Sequence, residues 1–257
     1  MLRLLLSISA LVLICTTAIA ENQLSIARLF TDHMVLQQGR ETHIWGKAAP
    51  ETGVSVSFAG QSLKVKTNEN GDWVAKFSAL STNAKGSTLT VSSGDQKIEI
   101  SDVLVGEVWM CSGQSNMGWA VSRSHNAEEE IANAKHPKIR LFQTHNKTST
   151  TAHTDYTTGE HWQICSPETI ATFSAVGYYF GRELSQNLNV PIGLINTAWG
   201  GKPSEAFTTR EKLASTETGK DLLGYWDSLQ AQYDPDTAQS RYDQALATFQ
   251  EKQKAAR

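Results

Sequence analysis

The sequence predicts a mixed α/β protein, with a small antiparallel β-sandwich over residues 21–101 and an α/β domain on a parallel sheet from residue 102. Three observations carry that expectation. Period-two runs separated by turn clusters fill the stretch from Leu29 to about Ile100. Past Asp102 the apolar runs become nearly continuous, as in strands covered on both faces. Helical patterns separate those runs, which is the alternation of a parallel α/β unit.

Taken in order, the chain opens with Met1-Leu2-Arg3, an apolar run from Leu4 to Ile14, and the small residues Ala18 and Ala20 before Glu21. A positive start, an apolar core too short for a bilayer and small residues at the cleavage spacing predict a signal peptide over residues 1–20. A secreted or periplasmic location follows from it. The sandwich strands are expected at Thr42–Trp45, Val54–Phe58, Ser62–Lys66, Trp73–Phe77, Leu89–Val91 and Lys97–Ile100. Clusters such as Asn68-Glu69-Asn70-Gly71 and Ser92-Ser93-Gly94-Asp95 supply the turns between them.

From Val103 to Cys111 the text reads as a buried strand, and the theme returns at Ile139–Phe142 and Pro191–Thr197. Ala127–Ala134 and Ser174–Asn187 read as helices. In the second, Val176, Tyr179, Phe180 and Leu184 share one face, which is expected to pack on the sheet. Residues 209–257 turn polar and helix-prone, with Tyr242, Leu246 and Phe249 at helical spacing. No terminal Gly or Pro stop closes them, so the text reads as the start of an insertion or as an interrupted tail.

Hydrophobic residues make up 40% and charged residues 19% of the chain, and the formal charge is −3. No basic stripe stands out, which argues against nucleic acid and anionic membrane surfaces as partners. Beyond the leader the cysteines are Cys111 and Cys165. A bridge between them is sterically possible, but two small buried thiols is the favoured reading. Neither a Cys-x-x-Cys pair nor a His-Glu-x-x-His pair occurs, so no metal site and no cofactor are expected.

Chemistry concentrates at Gly113-Gln114-Ser115-Asn116-Met117, directly after the buried run that ends at Cys111. Ser115 is thereby placed where a strand turns sharply toward a helix, beyond the carboxyl end of a parallel strand, where ligands bind. It is the candidate nucleophile. A bland alternative is a buried helix-capping serine.

The same stretch resembles the first block of the SGNH (GDSL-like) hydrolases, in the variant that marks sialate O-acetylesterase and acetylxylan esterase relatives. Gly200-Gly201-Lys202-Pro203-Ser204-Glu205-Ala206-Phe207 is similar to a second block, Gly-Gly-Thr/Ser-x-x-Glu-x-Trp. Upstream, Leu29-Phe30-Thr31-Asp32-His33-Met34-Val35-Leu36-Gln37-Gln38, Ile44-Trp45-Gly46-Lys47-Ala48 and Gly71-Asp72-Trp73 resemble the amino-terminal region of sialate O-acetylesterases. The resemblance implies an SGNH-type three-layer domain, of which residues 102–208 are the first part and the sheet is incomplete. It implies an esterase that removes O-acetyl groups from a sugar, most readily a sialic acid, through an acetyl-Ser115 intermediate. An acetylxylan esterase-like deacetylase, or a non-catalytic glycan-binding fragment, are the alternatives.

Acyl transfer needs N–H donors aimed at the developing oxyanion. The resemblance assigns these to the backbone of Ser115 and of Gly200 or Gly201, with Gln114, Asn116 and Glu205 in support. A serine also needs a base held by a third group. In SGNH relatives that base stands in an Asp-x-x-His block. None of the seven histidines follows an aspartate at that spacing, so the general base is expected outside these residues. His125 is nearest to Ser115 in sequence, and His145, His153 and His161 read as surface residues of a polar stretch.

Overall fold

The computed structural model describes residues 23–149, 151–153, 155 and 160–255. The expected signal peptide lies outside them. The strands are β1 (Ser25–Ile26), β2 (Val35–Gln37), β3 (Thr42–Lys47), β4 (Gly53–Phe58), β5 (Gln61–Lys66), β6 (Asp72–Phe77), β7 (Asn83–Ser93) and β8 (Gln96–Cys111). Helix α1 (Ala127–Asn133), β9 (His136–Gln143), β10 (Trp162–Cys165), α2 (Ala175–Leu188) and β11 (Ile192–Asn196) follow. The chain divides into two compact units, the first ending at Gly201 and the second beginning at Lys202.

Alternation produces the sandwich. In β4, Val54, Val56 and Phe58 are buried, and in β6, Trp73, Ala75 and Phe77 are. A three-stranded sheet in the order β1-β3-β6 contributes Ile44, Trp73 and Phe77 to one core, which Val56, Leu89 and Val91 of the larger sheet share. Each such fully buried side chain stabilises the fold by about 1.5–3 kcal/mol relative to exposure.

The larger sheet runs β10-β9-β11-β8-β7-β4-β5, with β2 also paired to β8. β8 joins the two expected regions: it pairs antiparallel with β7 from Gln96 to Val105 and parallel with β11 from Glu107 to Cys111. The two strands expected on either side of Asp102 are therefore one. Asp102 marks a bend in it, with φ of 52°. There the Asp102 carboxylate receives His33 Nδ1 at 2.7 Å and Arg140 Nη1 at 2.6 Å, and Arg140 Nη1 also donates to the His33 carbonyl at 3.1 Å. Arg140 is buried, so the group that turns the strand also satisfies an otherwise costly cation.

β9 runs parallel to β11, and β10 adds an antiparallel edge, Trp162 opposite Phe142. Cys165 is the last residue of that strand. Both described cysteines are buried free thiols, as favoured. Burial pushes the Cys111 thiol up to about 11 and, with help from the charge of Glu130, the Cys165 thiol up to about 12.

Helix α2 begins where Ser174 accepts the Gly177 N–H at 2.9 Å. Its packed face corrects the expectation in part: Tyr179 and Leu184 pack against the core as expected, but Val176 and Phe180 do not. Ala175, Gly177, Tyr178 and Gly181 are buried, whereas Val176 is 48% and Phe180 41% exposed. The reason is proximity: a Cβ on Gly181 would stand 2.7 Å from Leu194 Cδ1, so the helix seats against β11 through its small residues. Tyr178 fills the remaining space and donates to Glu130 Oε1 at 2.6 Å, and Arg182 pairs with the same oxygen.

The second unit contains α3 (Arg210–Ala214), α4 (Glu217–Ala231) and α5 (Pro235–Ala255), in keeping with its helix-prone text. Among the described residues no helix is long and apolar enough to cross a membrane.

Candidate active site

Parallel register brings the site together. Asn196 at the end of β11 lies beside Cys111 at the end of β8 on one side and Gln143 of β9 on the other. All three strands thus end at one edge of the sheet, where an α/β fold binds its ligand. From β8 the chain passes Gly113 at φ +132°, a conformation open to glycine and strained for other residues. A tight turn follows at Ser115–Gly118, closed by Gly118 N–H to the Gln114 carbonyl at 3.1 Å and Trp119 N–H to the Asn116 carbonyl at 3.3 Å.

The turn is pinned on both sides. Thr197 donates its N–H to Cys111 at 3.0 Å, and Trp199 to Gly113 at 2.8 Å, which hold the loop after β11 against the loop after β8. Ala175 donates to the Trp119 carbonyl at 2.7 Å, which ties the far end of the turn to the start of α2. Ser115 is exposed at the top of this frame, so it is not the buried capping serine of the bland reading. The strand leads into a single turn rather than directly into a helix. The first regular helix begins only at Ala127.

Gly200 lies against Ser115. A side chain there would come within 3.3 Å of Ser115 Cβ and 3.5 Å of its Cα. Gly201 follows at φ +72° with open space around it. Gln114 and Asn116 lend their carbonyls to the turn. Glu205 belongs to the second unit, in a short 3-10 turn at Ser204–Phe207, where it accepts the Ser204 hydroxyl at 3.4 Å. Behind the site, the Glu107 carboxylate is held by the Gln37 and Gln38 amides at 3.1 and 2.8 Å.

Of the candidate histidines, His125 is exposed in the loop before α1. His145 has a feature that sequence reasoning missed. Just beyond the end of β9, its Nδ1 lies 3.2 Å from Oε1 of Glu160, a carboxylate whose side chain is 2% exposed. Nothing in the polar stretch around Glu160 announces that pairing. Trp109, near the end of β8, is 43% exposed and stacks edge-on against Phe180 with ring centres 5.0 Å apart. Among the described residues no group of three or more His, Cys, Asp or Glu side chains is arranged to hold a metal ion.

A mixed sheet whose parallel strands deliver a serine turn against a glycine loop is the architecture of an SGNH-like α/β hydrolase. Comparison with known proteins agrees. The family model for carbohydrate esterase, sialic acid-specific acetylesterase, matches residues 105–251, and the chain belongs to that family. It is 29% identical over 204 residues to the sialate O-acetylesterase of Mus musculus, covering 73% of this chain and 38% of that protein. The Homo sapiens sialate O-acetylesterase is 29% identical over 220 residues, covering 79% of this chain and 42% of its own. The crystal structure of a novel carbohydrate acetylesterase from Xanthomonas citri superposes with a TM-score of 0.70 at 30% identity, over 76% of this chain and 44% of that one. The chain therefore spans roughly two fifths of the length of the relatives it matches.

Proposed function

We propose that this chain carries the nucleophile half of an exported carbohydrate esterase that removes O-acetyl groups from a sugar, most readily a sialic acid. Ser115 Oγ attacks the acetyl carbonyl carbon. The carbonyl π electrons move to oxygen, and the backbone N–H groups of Ser115 and of Gly200 or Gly201 receive the resulting oxyanion. Collapse breaks the acetyl carbon–sugar oxygen bond, and the leaving sugar oxygen takes up the proton Ser115 gave to the base and departs as the free hydroxyl. Water then attacks acetyl-Ser115 and releases acetate. No cofactor enters either step.

The observation that carries this reading is the exposed Ser115 with Gly200 so close that a Cβ on Gly200 would stand 3.3 Å from Ser115 Cβ, at the carboxyl edge of the parallel strands. Nucleophile and oxyanion donors have to lie this close for one tetrahedral carbon to meet both. No histidine of this sequence stands in an Asp-x-x-His block, and the reading rests on Ser115 and its oxyanion donors. The test is acetate release from O-acetylated N-acetylneuraminic acid and from p-nitrophenyl acetate, comparing the protein with Ser115→Ala. Loss of turnover by a factor of roughly 10³ or more on both substrates is expected, by the magnitude typical of a removed nucleophile. Turnover that survives the substitution rejects Ser115 as nucleophile.

A further inference from the structure

The sandwich holds a cavity of about 400 Å³ on its three-stranded sheet, built wholly within the first unit. Its wall is a cross-strand quartet. Trp45 stands opposite Val74 and Lys47 opposite Asp72, and alternation puts all four side chains on one face of β3 and β6. Ile44 and Ala75, which point the other way, are fully buried in the core. The quartet therefore faces away from the core.

Each member offers something different. The Trp45 indole is half-buried and held by Phe30, edge to face, with centroids 4.6 Å apart. It presents a rigid flat apolar surface whose orientation costs a ligand nothing to fix. Val74 is 47% exposed beside it. Lys47 Nζ pairs with Asp72 Oδ1 at 2.7 Å, which places a donor and an acceptor at the edge of that surface. Asp155 also lines the cavity and accepts the Arg28 N–H at 2.9 Å.

We infer that this cavity is a carbohydrate-binding site for a neutral pyranose, separate from the Ser115 turn. The apolar C–H face of a sugar ring packs on the indole and Val74. Its equatorial hydroxyls exchange hydrogen bonds with Lys47 and Asp72. Charge selects the class: one ammonium stands against the two carboxylates of Asp72 and Asp155, so the lining is net negative and repels an acidic sugar. The site would hold a neutral glycan chain while chemistry proceeds elsewhere on the molecule, and its existence does not depend on the esterase reading.

The test is calorimetric or ligand-observed NMR titration of the full 257-residue chain with xylotetraose and cellotetraose, and with N-acetylneuraminic acid as the acidic probe. A neutral tetraose should bind, and N-acetylneuraminic acid should bind at least 10-fold more weakly. Val74→Trp fills the cavity from an exposed strand position and should weaken the tetraose at least 10-fold, as should Val74→Asp; Ser115→Ala should leave affinity within 2-fold. Circular dichroism of the Val74 variants establishes that they fold. Absence of tetraose binding by the folded parent, unchanged affinity in both Val74 variants, or loss of affinity in Ser115→Ala overturns the site. Equal affinity for N-acetylneuraminic acid overturns the charge selection.

Discussion

Gly200 leaves only 3.3 Å between the position of its missing Cβ and the Cβ of Ser115. That spacing lets two loops from adjacent parallel strands share one reacting centre. Gly200→Ala puts a methyl group where a contact this short has to push one loop aside by a few tenths of an ångström. Displacing an oxyanion donor costs about 10²–10³-fold in rate. A fall in kcat of about 10- to 100-fold is expected for the alanine variant and a larger one for Gly200→Val, with Tm unchanged within about 2 °C. Acetate-release kinetics beside a melting curve check it; full activity in Gly200→Val would detach this loop from the reaction.

Asp102 is the hinge of β8, and its ion pairs make a pH-dependent contribution to stability. Burial pushes its carboxyl pKa up, but hydrogen bonds from Arg140 and His33 outweigh burial and hold it below the usual carboxylate value. A carboxylate depressed in the folded state stabilises above its unfolded pKa, about 3.9, and loses that contribution as pH falls through the folded value. Asp102→Asn leaves buried Arg140 without its counter-charge, at a cost of about 3 kcal/mol at pH 7. Urea midpoints of parent and variant should differ clearly at pH 7 and converge as pH falls through the lowered folded-state value. A pH-independent gap would mean that the bend, not the charge, supplies the stability.

Helix α2 allows its two faces to be told apart. Gly181→Ala places a methyl group 2.7 Å from Leu194 Cδ1 and should cost about 1–3 kcal/mol. Val176→Ser, on the face that periodicity would have buried, should change stability by no more than about 0.5 kcal/mol. Thermal unfolding of both variants decides between the faces.

That contrast shows what the sequence could and could not disclose. β3, β4, β5 and β6 were legible because one face of each is buried and the other wet, so polarity alternates with structure. The turn at Ser115 was legible because a continuous apolar run, a glycine and a serine are dictated by local geometry. The packed face of α2 was legible only at Tyr179 and Leu184, because glycines carry no hydrophobic signal although they permit the closest approach. The continuity of β8 through Asp102 was not legible, since a polar residue there looks like a break until Arg140, 38 positions away, supplies its partner. β10 is four residues long and its pairing partner lies in another segment. Glu160 was invisible for the same reason: its role exists only when the fold brings it to His145.

His145 and Glu160 sit at the edge of the sheet that Ser115 occupies, but His145 follows β9 and Glu160 precedes β10, whereas Ser115 follows β8. β11 lies between β9 and β8, which puts two strand spacings, roughly 9.5 Å, between their axes. Direct proton transfer needs heavy atoms at about 3 Å or one intervening water, so a lateral offset of this size suits contact with a sugar ring rather than with Ser115 Oγ. Glu160, nearly fully buried, fixes which way the exposed imidazole points. His145→Ala should therefore raise KM for an acetylated glycan by about 3- to 10-fold, the worth of one hydrogen bond, while leaving kcat on p-nitrophenyl acetate unchanged. Glu160→Gln should reproduce the KM effect in weaker form, because the ring loses its orientation but not its presence. A fall of 100-fold or more in kcat on p-nitrophenyl acetate for His145→Ala would instead make this pair the general base and its orienter, and place the acid–base chemistry within this chain.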